Sequence, residues 1–374
     1  MKKKLLYIFF FWLLIFACAP INELSKSTQL ATHQVASLAQ GNLVFACPDG
    51  IYQYEIKGNK INLLTTDKTR LYVDVNLTEE WIYYLRSTDV REQEFPSGGG
   101  HGPNDIFRMK LDGTEFEQLI IDDYYDLNLT VLPTTHKLVY VSDRIEPDHS
   151  PNRYKVIVWN IDKKTEEVVV ENSEPILPVR SPKESKVGLL EMPVPLKDKI
   201  KLLVLDLQDN FVIELIPDQN ITPGKFSWSP DEKYIVLGIK QDKAFDIAFI
   251  NPTTGKIEKE IAIKDEPRNF VWSPDGKMIL FETWIYSSET DISIKLWLLD
   301  ISNEQIVILY EGGLDARFFS YNAVWSPDSK HIAFFTNPDN LNLKLNIQNI
   351  EASEKFTSEM PCSYTGTVAW VTLR

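Results

Sequence analysis

The tetrapeptide Trp-Ser-Pro-Asp occurs three times, as Trp228-Ser229-Pro230-Asp231, Trp272-Ser273-Pro274-Asp275 and Trp325-Ser326-Pro327-Asp328. Each copy runs into an apolar β-forming stretch: Tyr234-Ile235-Val236-Leu237, Met278-Ile279-Leu280-Phe281 and His331-Ile332-Ala333-Phe334. Proline fixes φ near −65°, aspartate and a following glycine favour a turn, and the flanks favour strands, so each copy predicts a β-hairpin. The tryptophan ends the first strand and covers the core beside the turn. A chain that repeats one hairpin at a regular interval is confined to repeat architectures.

Weaker copies lie upstream. Arg180-Ser181-Pro182-Lys183 precedes Val187-Gly188-Leu189-Leu190, Leu132-Pro133-Thr134-Thr135 precedes Leu138-Val139-Tyr140-Val141, and Val75 to Glu80 precedes Trp81-Ile82-Tyr83-Tyr84. The tryptophan-equivalent positions are then 75, 132, 180, 228, 272 and 325, at spacings between 44 and 57 residues. In most units a further apolar strand follows, such as Asp246-Ile247-Ala248-Phe249-Ile250, then a tight polar turn and a closing strand. That is four strands, A to D, per unit. A period near 40 to 55 residues built from such units predicts an all-β fold, a β-propeller of four-stranded blades. Residues 42 to 66 supply strands B, C and D without an A, and Thr367 to Val371 supply an A without the rest. Joined, the two ends make a seventh blade that closes the ring; one misread degenerate unit would make six or eight.

The repeat resembles that of the TolB-type β-propellers, with their WSPDGK-x-I-A-F signature, and the resemblance spans about 42 to 372. It implies a module that engages proteins or peptides through one face and the mouth of the central channel. The same repeats form the propeller of prolyl-oligopeptidase-like enzymes, where a separate hydrolase domain does the chemistry; the expectation for this chain is a propeller with no such domain after the closing strand. Pectin-fragment lyases are further seven-bladed relatives, and the resemblance implies a histidine-rich metal site in them. Here only His101 and His149 fall in loops that could meet at one face.

The residues offer little catalytic chemistry. There is no G-x-S-x-G elbow, no H-E-x-x-H, no C-x-x-C and no P-loop. The five histidines include no i, i+4 pair, and His136 and His331 beside the A–B turns read as exposed turn or strand residues. The WSPD aspartates occupy equivalent turns in separate blades, which makes them turn formers, not paired acids. No cofactor, metal site or catalytic residue is assigned, and the expectation is a non-enzyme. The net charge of −14 repels phosphate backbones and argues against nucleic acid as a partner. Hydrophobic residues at 44% and charged residues at 25% suffice for a large core.

Met1-Lys2-Lys3-Lys4 and thirteen apolar or aromatic residues, Leu5 to Ala17, form a secretory signal. Thirteen helical residues reach roughly 20 Å, short of a ~30 Å hydrocarbon core. Removing the three lysines takes the charge from −14 to −17. Ile15-Phe16-Ala17-Cys18 resembles a lipobox, with Phe16 bulkier than usual, and implies a lipid on Cys18; cleavage after Ala19 is the alternative. The expected layout is a signal peptide over 1–17, the anchor cysteine and a polar tether over 18–41, and one propeller over 42–374. The export pathway permits a disulfide. Cys47, at the end of strand B of the split blade, and Cys362, before its strand A, could form one or stay separate thiols; simple register sets Gly366, not Cys362, opposite Cys47.

Strand alternation puts A–B and C–D turns on one face and B–C and D–A connections on the other. The B–C connections are longer and more varied, and variable loops on a rigid frame are where binding concentrates. This face gathers Arg91, His101, Arg144, His149, Arg153, Arg268, Trp284, Tyr286 and Arg317 on an otherwise acidic protein. Arginine and aromatic groups are common interface anchors, although loop arginines also pair with nearby aspartates and Trp284 could simply cover a blade edge. The expectation is a monomeric, exported, lipid-anchored scaffold or binding protein of the cell envelope whose partner is a protein, peptide or glycan. A glycan-active enzyme, or a structural or sensory lipoprotein without a small ligand, are the alternatives.

Overall fold

The computed structural model describes residues 40–65, 72–87, 104–124, 126–143, 154–173, 176–192, 199–216, 218–242, 244–286, 291–315, 322–336, 343–352, 354–362 and 367–371. These form seven antiparallel four-stranded sheets and no helix. The protein is a seven-bladed β-propeller. Blade 1 is split between the two ends of the chain: Val368–Val371 is strand A, and Asn42–Cys47, Gly50–Glu55 and Lys60–Leu63 are B, C and D. Strand A is Tyr72–Leu77 in blade 2, Asp126–Leu132 in blade 3, Ile176–Arg180 in blade 4, Ser227–Trp228 in blade 5, Glu266–Trp272 in blade 6 and Val324–Trp325 in blade 7.

The core explains the ring. Apolar side chains form seven buried clusters, and each draws on two neighbouring blades. Leu43, Phe45 and Tyr54 of blade 1 pack with Phe335, Leu345 and Ile347 of blade 7, so the interface that closes the ring is built like the other six. Both faces of every sheet carry apolar residues, and only a closed circle covers all of them. Where blades approach most closely, side chains vanish: a Cβ on Gly238 of blade 5 would lie 2.5 Å from the carbonyl oxygen of Pro267 in blade 6.

The WSPD turns are hydrogen-bonded alike. The serine hydroxyl donates to the aspartate at 2.5–2.7 Å and accepts the N–H five residues along its own chain at 2.9 Å. The aspartate also accepts the N–H two residues on, at 3.1–3.2 Å. The residue after it takes positive φ: Glu232 at 62°, Gly276 at 75° and Ser329 at 60°, with Glu184 at 57° in the degenerate turn of blade 4. Glycine bears this without cost; the others do not. Their side chains contribute elsewhere, accepting an N–H from the turn of the preceding blade. Glu184 accepts from Thr134 at 2.8 Å, Glu232 from Lys183 at 2.6 Å and Ser329 from Asp275 at 3.0 Å. Gly276 has no side chain to do the same between blades 5 and 6. The tryptophans add a second set of links: Trp228 Nε1 donates to Val179 O and Trp325 Nε1 to Val271 O, both 3.1 Å and both one blade back.

Register corrects two positions. Trp228, Trp272 and Trp325 each pair with the residue seven further on, Ile235, Ile279 and Ile332. The same offset falls on Asn76 with Tyr83 and Val131 with Leu138, so Asn76 and Val131 hold the tryptophan position, not Val75 and Leu132. In blade 1, Phe45 pairs with Val368, while Gly366, expected opposite Cys47, lies outside the described residues. Cys47 is disulfide-bonded to Cys362, with Cα atoms 6.0 Å apart at a sequence separation of 315. In the chain-entropy account such a link stabilises by roughly 5 kcal/mol at most.

Glu184 is buried, accepts the Thr134 N–H and pairs with Arg180 at 2.9 Å. Glu184→Ala strands that N–H and is expected to cost about 1–3 kcal/mol in chemical denaturation. Glu232→Ala, at a more open turn, is expected to cost less; equal, negligible losses in both would remove the turn-to-turn bonds from the account.

Candidate binding face

Two of the sequence-predicted face residues meet, in blade 6. Arg268 is the third residue of strand A and Trp284 lies in strand B, Met278–Tyr286. The Arg268 guanidinium sits 4.6 Å from the Trp284 ring centre and its Nε donates to Glu266 at 2.7 Å. Glu282, buried on strand B, accepts from Trp284 Nε1 at 3.2 Å and from Asn269 Nδ2 at 2.7 Å. Asn269 adopts φ 54° at a register shift between Arg268 and Val271, and its Oδ1 takes the Lys225 N–H from blade 5. The bulge turns Asn269 towards both the neighbouring blade and Glu282.

These positions correct the sequence reading. Arg268, Trp284 and Tyr286 were expected in connections, yet all three lie within strands, because the sheet of blade 6 runs longer than the others. Trp284 is only 7% exposed and packs with Leu296, Trp325 and Phe334 between blades 6 and 7, so its ring is core and not a surface anchor. Arg268 is committed to Glu266 and the indole and leaves 15% of its side chain to solvent. Arg91, His101, Arg144, His149, Arg153 and Arg317, and likewise Cys18, lie outside the described residues.

A second polar group escaped the sequence reading. Ser87, Asn104 and Ser142 are buried at the strand ends that border segments 88–103 and 144–153, and Asp126 is buried at the start of strand A of blade 3 beside them. Asn104 pairs with Ser87 in register and Asp126 with Ser142, while Asn104 Nδ2 donates to the Asp126 carbonyl across the blades at 3.2 Å. A run of polar residues at strand ends beside the two long connections was the available signal. Among the described residues no three His, Cys, Asp or Glu side chains stand close enough to hold a metal ion.

The opposite face carries two of the histidines and the turn aspartates. His136 is exposed and hydrogen-bonded to Asp162 at 2.9 Å. His331, expected to be exposed, is buried, with Nε2 3.3 Å from Asn349 Nδ2. Burial holds its imidazole below the ordinary value, against the pull of Asp328 and Glu354. Burial would raise the carboxyls of Asp231, Asp275 and Asp328, but their serine and N–H donors outweigh it and hold them below the usual range.

The sequence matches no protein-family model and no curated protein. Among solved structures it is similar to TolB from Acinetobacter baumannii, at 16% identity over 88% of this chain and 81% of that one, TM-score 0.54. An oligogalacturonate lyase from Vibrio parahaemolyticus aligns at 14% identity over 79% and 83% of the chains, TM-score 0.59. A puromycin-hydrolyzing peptidase of Mycobacterium tuberculosis aligns at 12% over 83% of this chain and 49% of its own, TM-score 0.54. At these identities the likeness is one of fold, and the fold is shared by TolB and by enzymes.

Both kinds of depressed group destabilise in acid. A histidine held neutral contributes fully above its unfolded value of about 6.5, and that contribution declines as pH falls below it; depressed aspartates contribute above about 3.9 and lose it as pH falls through their lowered values. Denaturation midpoints are expected to drop in two stages, and His331→Leu should abolish the upper one alone. An unchanged upper stage in that variant would contradict the assignment.

Proposed function

We propose that this chain is an exported cell-envelope protein that binds a protein, peptide or glycan through the face carrying its B–C and D–A connections, held to a membrane by a lipid on Cys18. The supporting observation is the polarity of blade 1. Its strand B starts at Asn42, on the A–B turn side, where Trp370 Nε1 donates to the Gln40 carbonyl at 3.1 Å. The chain before residue 40 therefore joins the propeller on the turn face, opposite the long connections 88–103 and 144–153. From Cys18 to Gln40 the backbone reaches at most roughly 75 Å. An anchor there attaches on the turn-face side and leaves the connections unobstructed by the tether. The acidic surface favours steering of a basic protein or peptide over nucleic acid.

The test combines two variants with crosslinking in intact envelopes. Cys18→Ser should shift the protein from the membrane to the soluble fraction, and fatty-acid label should be absent from it. Deleting Pro96 to Gly102 should leave the denaturation midpoint unchanged and reduce capture of a reproducible partner at least about tenfold. Undiminished capture would move the site off this face, an unlabelled wild type would remove the anchor, and release of unsaturated sugar from pectic oligosaccharide by the purified protein would replace binding with catalysis.

A further inference from the structure

On the rim of the ring, strand D of blade 4, Phe211–Leu215, lies beside the turn that joins strands C and D of blade 5. A groove of about 500 Å³ runs between them, lined by residues 213–216, 218–219, 253–255 and 257. That volume is within the range of ligand sites. Its apolar lining is Leu215, Ile216 and Ile257, which belong to or pack against the cluster buried between blades 4 and 5. Its polar lining is exposed, with Glu214 and Asp218 on one side and Thr253 and Thr254 on the other. The two sides meet at Gly255, where a Cβ would lie 3.5 Å from Leu215 Cδ2.

Backbone strain helps to form the groove. Ile216 takes φ 47°, a conformation that a β-branched residue adopts only under constraint. The chain leaves strand D there, and the Gln219 N–H returns to the Ile216 carbonyl at 3.1 Å. This turn keeps Asp218 and Gln219 beside the groove. Lys199 Nζ donates to the Asp218 carbonyl at 3.3 Å, a contact that does not involve the Asp218 carboxylate. Among the described residues neither Glu214 nor Asp218 forms an ion pair, whereas Glu184, Glu232 and Glu266 each have a basic partner. No residue that lines the groove is basic.

We propose that this groove takes a basic side chain, arginine or lysine, of a partner protein. Such side chains join an aliphatic stem to a cationic head, and the stem lies readily along apolar surface. Here the stem would rest on Leu215, Ile216 and Ile257, with the head near Glu214 and Asp218. Two carboxylates without a lining cation set the sign of the partner's charge. The groove is open along its exposed residues, so it suits a side chain that projects from a larger chain better than a free amine. A second copy of this chain is a poor occupant, because two chains of net charge −14 repel. The site rests on neither the lipid anchor nor the long connections 88–103 and 144–153.

The test uses the purified full chain, lacking only its signal, and a short dye-labelled peptide with one arginine between two valines and a photocrosslinker beside it. Binding is read by fluorescence anisotropy, and crosslinks should map to residues 213–219 and 253–257. Glu214→Gln combined with Asp218→Asn should weaken binding at least about tenfold. Asp242→Asn combined with Glu351→Gln, an equal change of charge at exposed residues elsewhere, should leave it within about twofold. Thr253→Trp obstructs the groove from an exposed position whose side chain makes no hydrogen bond among the described residues. It should abolish binding without moving the denaturation midpoint. Equal losses in the two double variants, undiminished binding by Thr253→Trp, or crosslinks confined to other residues would overturn the proposal. Free argininamide competing as well as the peptide would make the occupant a small amine, and self-association abolished by Thr253→Trp would make it a second copy; either result overturns it too.

Discussion

A four-stranded antiparallel sheet with apolar residues on both faces cannot stand alone in water. Every blade here is such a sheet, and each hydrophobic cluster lies between two of them. Closure is therefore the condition on which the rest depends: if the seventh interface fails, one face of blade 1 and one of blade 7 are exposed together. The chain meets that condition by giving blade 1 strands from both of its ends, so completing the blade and closing the ring are one event. The Cys47–Cys362 disulfide lies at that junction.

The turns serve the same end. In a WSPD turn, serine and aspartate satisfy the local backbone donors, proline sets the entry and the next residue takes positive φ. In three turns a side chain at that last position reaches the turn of the neighbouring blade, and two tryptophans reach a neighbouring carbonyl. Local turn chemistry and blade-to-blade attachment thus reside in the same few residues. The opposite face is released from this duty, and there the connections vary in length.

This division explains what could be read from sequence. The fold was legible because the turn is a chemical unit with fixed spacing, and because Trp370 stands one period beyond Trp325. Register failed by one residue at Val75 and Leu132, where no serine, aspartate or tryptophan marks the turn and apolar alternation alone cannot place it. Arg268 and Trp284 were misplaced in connections because nothing in the sequence marks how far the strands of blade 6 extend. His331 looked exposed because the Asn349 beside it belongs to the neighbouring strand C. Its burial is a property of the assembled sheet. The Glu266–Arg268–Trp284 and Asn269–Glu282 contacts were equally invisible, since they depend on a bulge that pattern does not encode.

Closure is tested most directly by native-state hydrogen exchange at Val368–Val371, the strand that completes blade 1. A terminal strand of four residues has little stability of its own and normally frays. If it is the keystone of the ring, its amides should exchange as slowly as those of Asn42–Cys47 beside it and Ile332–Phe335 across the closing interface, all through global unfolding. Fast exchange at Val368–Val371 with the other strands still protected would mean that the ring holds without it, and would contradict the account.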